Sequence, residues 1–203
     1  MTEQEFYVPL GLEDKVPDLS LDIYDPTQDA IVQHKISDYK DKRLVLFFYP
    51  ADFTFVCPTE LKDLHRSYDA IKSANAEILV VSVDTTFSHK RRVETEKLLD
   101  GFGIKMVSDR RWDLSSLFGI LNEETGNSER GTFIISPDGQ VKSIEVVTEP
   151  IGRSSNELIR KVNALNYVAT NPWQACPASW NIGAKTLTPW INIAGKVWEE
   201  LDK

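Results

Sequence analysis

"RLVLFFYPADFTFVCPTELKDLHRSYDAIKSA" occupies residues 43–74. Its opening, "RLVLFFY" (43–49), is an almost unbroken apolar run, the mark of a strand covered on both faces. Pro50 ends that run, because proline has no N–H to give a strand ladder. From Pro58 onward, Leu61, Leu64, Tyr68 and Ile71 recur at helical spacing, and Pro58 suits a first helical position. A fully buried strand leading through a short connection into an amphipathic helix is the building unit of α/β sheets.

The same alternation continues along the chain. "EILVVSV" (77–83) is a second buried strand, and "FSHKRRVETEKLLD" (87–100) predicts a second amphipathic helix stopped by Gly101. A short strand near Met106 and Val107 and a brief helix from Trp112 to Phe118 follow. Then "GTFIIS" (131–136), the turn "PDG" and "QVKSIEVV" read as a β-hairpin. "SSNELIRKVNALNYVA" (154–169) predicts a long helix with a capping box from Ser154 to Glu157. Upstream, residues 1–42 are mixed, with one short strand in "AIVQHKISDY" after the "DPTQD" turn. Strand–helix–strand–helix followed by hairpin–helix is an α/β arrangement around a mixed sheet.

The last part differs. Four of the five tryptophans (Trp173, Trp180, Trp190, Trp198) lie beyond residue 170, among Pro172, Pro177 and Pro189. Prolines break regular structure there, and large aromatics are poorly placed in water. The division expected is therefore a domain over 1–169 and an arm over 170–203, docked on its own body or on another subunit.

Composition narrows the function. A net charge of −8, with no basic run longer than "HKRR" (89–92), offers little to neutralise nucleic-acid phosphates. "MTEQEFYVPLGLEDK" carries acids early and lacks the apolar run of about 7–15 residues that a secretory signal needs. No stretch approaches the roughly 20 apolar residues that span a bilayer. A cytoplasmic protein with no membrane or nucleic-acid partner is expected. In that compartment a structural disulfide between the two cysteines, Cys57 and Cys176, is disfavoured. No CxxC exists for a disulfide oxidoreductase, and His34, His65 and His89 are scattered, as surface or hydrogen-bonding residues rather than metal ligands.

Cys57 is then the residue of interest. At a helix N-terminus, unpaired N–H groups and the macrodipole favour an anion and so a thiolate. Thr54, three residues earlier, can turn its hydroxyl toward the sulfur, and Pro50 can wall off a pocket. An arginine from elsewhere in the chain would complete the site. Against this, a cysteine among Phe53, Phe55 and Val56 is equally well read as an inert core thiol.

Pro50, Thr54 and Cys57 form a Pro-x-x-x-Thr-x-x-Cys motif, and "FYPADFTFVCPTEL" (48–61) resembles the typical 2-Cys peroxiredoxins. "VSVDTTFSHK" (81–90), "RGTFIISPDGQV" (130–141), "IGRSSNELIRKVNALNYV" (151–168) and "CPASW" (176–180) are similar to family segments in family order. The tail "LTPWINIAGKV" (187–197) resembles the bacterial alkyl hydroperoxide reductase C branch. The resemblance implies a thioredoxin-like fold and a thiol-dependent peroxidase acting on hydrogen peroxide and small alkyl hydroperoxides, in antioxidant defence and redox homeostasis. It implies Cys57 as the peroxidatic cysteine, Arg130 as the active-site arginine, and Thr54 and Pro50 as pocket residues. Glu60 and Arg153 match a supporting carboxylate and guanidinium, and Cys176 matches the resolving cysteine of a partner subunit. It implies no cofactor and no metal. The partners implied are a disulfide reductant (a flavoprotein reductase, thioredoxin or similar) and a second copy of the chain, as a homodimer often assembled five to a ring, a decamer. One departure stands out: Arg91 and Arg92 follow "FSHK", where the family often carries Ala-Trp.

Overall fold

A hairpin starts the sheet: Ser20–Asp25 (β1) and Ala30–Lys35 (β2) pair antiparallel from Ser20↔Lys35 to Asp25↔Ala30. The turn between them is built by one carboxylate. Asp25 accepts from the Thr27 N–H (2.9 Å), the Thr27 hydroxyl (2.6 Å) and the Gln28 amide (3.0 Å), an Asx-type turn. The sequence announced β2 but not β1. The structure, a computed structural model, describes residues 8–201; the opening of the N-terminal stretch read above as no secretory leader lies outside them.

Arg43–Phe48 (β3) is buried at every position, as its apolar run requires. It continues into the helix Cys57–Ser73 (α1) and the strand Ala76–Ser82 (β4), which pairs parallel with β3. Next come Thr86–Thr95 (α2), Lys105–Ser108 (β5), Asp113–Leu117 (α3), and the antiparallel pair Arg130–Ile135 (β6) and Val141–Val147 (β7). The seven strands run β2-β1-β5-β4-β3-β6-β7. Only the β3–β4 and β4–β5 pairings are parallel, which makes the sheet mixed. One face carries the cluster of Phe48, Phe118 and Phe133, whose ring centroids lie 4.4–5.7 Å apart. α1 packs on β4, and α2 on β1 and β5.

α2 is shorter than its sequence suggests. Glu96 takes an extended conformation and its carboxylate accepts from the Leu98 N–H (3.1 Å), starting a separate 3-10 turn at Lys97–Leu99. The inward face of α2 is polar, with His89 and Arg92 buried.

The chain forms two compact units, Met1–Ser155 and Asn156–Lys203. In the second, the helix Ser155–Thr170 (α4) leads into irregular chain tied by a bridge between Ala175 and Leu187. Trp180 lies against Tyr167, ring centroids 5.0 Å apart, and gives its indole N–H to the Ala184 carbonyl (3.1 Å). A 3-10 turn at Ile191–Ile193 and a short helix, Val197–Leu201 (α5), follow. Among the described residues no helix is long and apolar enough to cross a membrane.

Candidate active site

α1 begins one residue earlier than its periodicity indicates, with Cys57 as its first residue and Pro58 as its second. No side chain caps it: the residue before, Val56, is helical in conformation and offers only its carbonyl, to Thr59 and Glu60. The first-turn N–H groups thus lack a side-chain acceptor, the arrangement that favours negative charge beside them.

Cys57 is 0% exposed, yet its flanking aromatics are not around it in a core. Phe55 is 93% exposed and Phe53 61%, the latter with a left-handed backbone (φ 58°). What the sulfur meets is a guanidinium. Arg130, the first residue of β6, places Nη1 3.2 Å from Cys57 Sγ and 2.6 Å from Glu60 Oε2. Its Nε donates to the Glu149 carbonyl at 2.5 Å. Glu60 can share this donor because it stands three residues after Cys57, on the same helical face.

A second arginine closes the network. Glu60 Oε1 accepts from both the backbone N–H and Nε of Arg153, each at 2.9 Å. Arg153 Nη1 donates to the Gly131 carbonyl (2.7 Å) and the Thr132 hydroxyl (3.0 Å), and Nη2 to the Phe48 carbonyl (2.7 Å). Its guanidinium also stacks on Phe47, 3.4 Å from the ring centroid. Burial pushes the Arg153 pKa down, and the bonds to Glu60 oppose that shift. Gly131 has a packing reason: a Cβ there would fall 2.8 Å from the Phe133 ring and 2.9 Å from Ile120 Cδ1. Glu60 is therefore a buried carboxylate between two buried cations, one of which touches the sulfur.

Cys57, Glu60, Arg130 and Arg153 are thus brought together. Pro50 is buried directly after β3 and Tyr49. Thr54 differs in detail from expectation: its hydroxyl donates to the Ala51 carbonyl (2.9 Å) rather than to the sulfur. Cys176 lies in the second unit, half-buried, with its sulfur 4.0 Å from the Ala164 carbonyl. Burial pushes its thiol pKa up, with Arg160 opposing. Both cysteines are free.

Sequence reasoning missed a polar cluster under the 50–56 loop. Asp52 accepts from the Tyr49 hydroxyl (2.8 Å) and the Ser88 hydroxyl (2.7 Å), and its carboxylate also meets His89 Nδ1 (2.9 Å) and Arg92 Nη1 (3.3 Å). His89 is fully buried and its Nε2 faces the Val107 carbonyl (3.2 Å). Desolvation would raise the Asp52 pKa, but the bonds from His89, Ser88 and Tyr49 leave it lowered. The signal was present: His89 and Arg92 are three apart on one helix, so "HKRR" could not be wholly a surface run. Among the described residues no group of three or more His, Cys, Asp or Glu side chains is placed to hold a metal ion.

Comparison with known proteins assigns the family. Residues 12–144 match the AhpC/TSA family. Alkyl hydroperoxide reductase C of Amphibacillus xylanus is 45% identical over 161 residues, covering 79% of this chain and 86% of the relative. The protein of that name from Staphylococcus aureus is 40% identical over 174 residues, covering 86% and 92%. Among solved structures, Enterococcus faecalis AhpC superposes with a TM-score of 0.79 at 35% identity, covering 84% of this chain and 100% of that one. Reduced 2-Cys peroxiredoxin of Plasmodium vivax gives 0.87 at 26% identity, covering 94% and 100%. The seven-stranded mixed sheet is accordingly the thioredoxin-like sheet of these neighbours. The chain belongs to the AhpC/TSA family and is a peroxiredoxin, a thiol-dependent peroxidase of the 2-Cys type.

Proposed function

We propose that this enzyme reduces hydrogen peroxide and small alkyl hydroperoxides, with Cys57 as the attacking thiolate and Cys176 of a partner subunit as the resolving thiol. The observation that carries the reading is the single nitrogen, Arg130 Nη1, held between Cys57 Sγ and Glu60. A cation fixed beside a sulfur at a helix N-terminus stabilises negative charge on it, and an inert core thiol has no use for such a neighbour. The sulfur attacks the terminal peroxide oxygen, the O–O bond breaks, and the leaving oxygen takes a proton to depart as water or an alcohol. Sulfur has lost two electrons and become a sulfenic acid. Arg130 is placed to stabilise charge that spreads along the breaking bond. The Thr54 hydroxyl, its own proton directed at Ala51, keeps its lone pairs free to accept a hydrogen bond from the peroxide. Pro50, without an N–H, walls the pocket, and Glu60 and Arg153 hold Arg130 in place.

The Cys176 thiol then condenses with the sulfenic acid, forming a disulfide and releasing water. The arm, taken as residues 170–203, is what delivers it. Its large apolar side chains support a partner surface, since Trp173 is 81% exposed, Ile191 80% and Trp190 71% in the single chain. The assembly inferred is a homodimer built up to a decamer, working in the cytoplasm. A dithiol reductant of flavoprotein or thioredoxin type returns the two electrons. Cys176→Ser tests the scheme: one equivalent of peroxide should be consumed rapidly, with no further turnover and no disulfide-linked dimer on a non-reducing gel. Sustained turnover by that variant with the same reductant would overturn the assignment of Cys176.

Burial adds a conformational requirement. A sulfur with no exposed surface in the first turn of α1 cannot meet a second thiol where it stands. Disulfide formation should therefore unwind that turn, and amide hydrogen exchange at Thr59, Glu60 and Leu61 should rise on oxidation. Equal protection of those amides in the reduced and disulfide states would refute it.

A further inference from the structure

The 50–56 loop carries Pro50 and Thr54, yet little packs on it. Phe53 and Phe55 point to solvent, and Phe53 holds a left-handed backbone that a bulky residue keeps only under restraint. The restraint is polar and comes from beneath. The Asp52 N–H donates to Asp84 Oδ2 (2.7 Å), and the Asp52 carboxylate is bound by Tyr49, Ser88, His89 and Arg92. Arg92 is 1% exposed. Its Nη1 donates both to Asp52 Oδ1 (3.3 Å) and to the Ala51 carbonyl (3.2 Å). That carbonyl is the one to which the Thr54 hydroxyl donates, at 2.9 Å. Arg92 Nε is buried with no hydrogen-bond partner among the described residues.

We propose that Arg92 is a positioning residue for the peroxidase reaction: by fixing the Ala51 carbonyl and Asp52, it sets the direction of the Thr54 hydroxyl and hence the peroxide-accepting lone pairs. This rests on the reading of Cys57 and Thr54 given above. A buried guanidinium with an orphan Nε is a poor device for stability, since an apolar side chain of similar size often serves a core as well. What the arginine supplies that an apolar chain cannot is its pair of bonds to Ala51 and Asp52, and of the two only the bond to Ala51 leads on to Thr54. Asp52 keeps three other partners without it, so the cluster outlasts the loss of Arg92 better than the loop geometry does.

The test compares two reactions of Cys57 in reduced protein: single-turnover oxidation by hydrogen peroxide, and alkylation by iodoacetamide, which needs the thiolate but not the Thr54 hydroxyl. In Arg92→Met the peroxide rate constant should fall roughly 10- to 100-fold, the scale of a slight misplacement at a reacting centre, while alkylation stays within about threefold. Arg92→Lys, which keeps a donor cation on a side chain one bond shorter, should recover part of the rate. Thr54→Val should cost less in the Arg92→Met background than in the wild type, because the two act through one carbonyl. If Arg92→Met does not fold, Arg92→Leu, which likewise has no donor, is read in the same way. An unchanged peroxide rate, a parallel fall in alkylation, or effects of Arg92 and Thr54 that simply multiply would each overturn the assignment. A wild type whose Cys57 does not react with peroxide would take down the peroxidase reading and this inference together; a reactive wild type matched by its Arg92 variants sinks the inference alone.

Discussion

Cys57→Ser should abolish peroxide turnover with any reductant, a loss of at least ~10⁴-fold, the scale seen when an enzyme loses its nucleophile. A serine hydroxyl is almost fully protonated at neutral pH and cannot become a sulfenic acid, so both halves of the cycle lose their carrier. The substitution is nearly isosteric, and the serine oxygen can still accept from Arg130 Nη1, which lies 3.2 Å from the sulfur it replaces. Stability should therefore change by no more than about 1 kcal/mol. This separation is what gives the experiment its force. Peroxide consumption followed with purified reductant, beside a thermal melt, reads both quantities. A folded Cys57→Ser protein that turns over at the wild-type rate would remove Cys57 from the chemistry altogether.

The sequence carries the inner sheet well and the site only in outline. β3 and β4 are legible because a strand buried on both faces must be apolar throughout, and "RLVLFFY" and "EILVV" are. β1 is not, because "SLDIYD" is short and mixes acids with apolar residues, and its pairing with both β2 and β5 is a tertiary fact. The pattern overstates α2 because Val93, Leu98 and Leu99 continue an apolar spacing across Glu96, where the backbone turns extended. At the site, local spacing offers Cys57, Thr54 and Pro50, but leaves the cysteine balanced between core and chemistry. Arg130 and Arg153 come only through resemblance, since no local rule tells which arginine a strand will bring to a helix end. The Asp52–His89–Arg92 cluster escapes for a related reason. Charged residues in a helix are read as solvated unless their i, i+3 alignment is set against the face that packs inward.

Glu60→Gln is the variant expected to damage stability and rate together. Glu60 accepts from Arg130 Nη1 at 2.6 Å and from Arg153 N and Nε at 2.9 Å each, with all three side chains at most 2% exposed. Two cations so close are tolerable only while the carboxylate sits between them. The amide keeps the shape but not the charge, and its NH₂ group faces donors where an acceptor stood. Breaking a buried ionic arrangement from one side costs about 3–5 kcal/mol, because the groups left behind stay desolvated and unpaired. For a chain of this size that is roughly 10 °C in melting temperature. The rate follows from the same geometry. Arg130 Nη1 loses the anchor that holds it at the sulfur, and losing one preorganised donor commonly costs about 10²–10³-fold. Arg153 should prove less critical for rate than Glu60, because Glu60 binds Arg130 directly and Arg153 acts on Arg130 only through that carboxylate. Melting curves and single-turnover peroxide oxidation of Glu60→Gln check both numbers. A variant that melts with the wild type and oxidises as fast would show that Arg130 is held by its Glu149 contact alone, and that the carboxylate between the two arginines is dispensable.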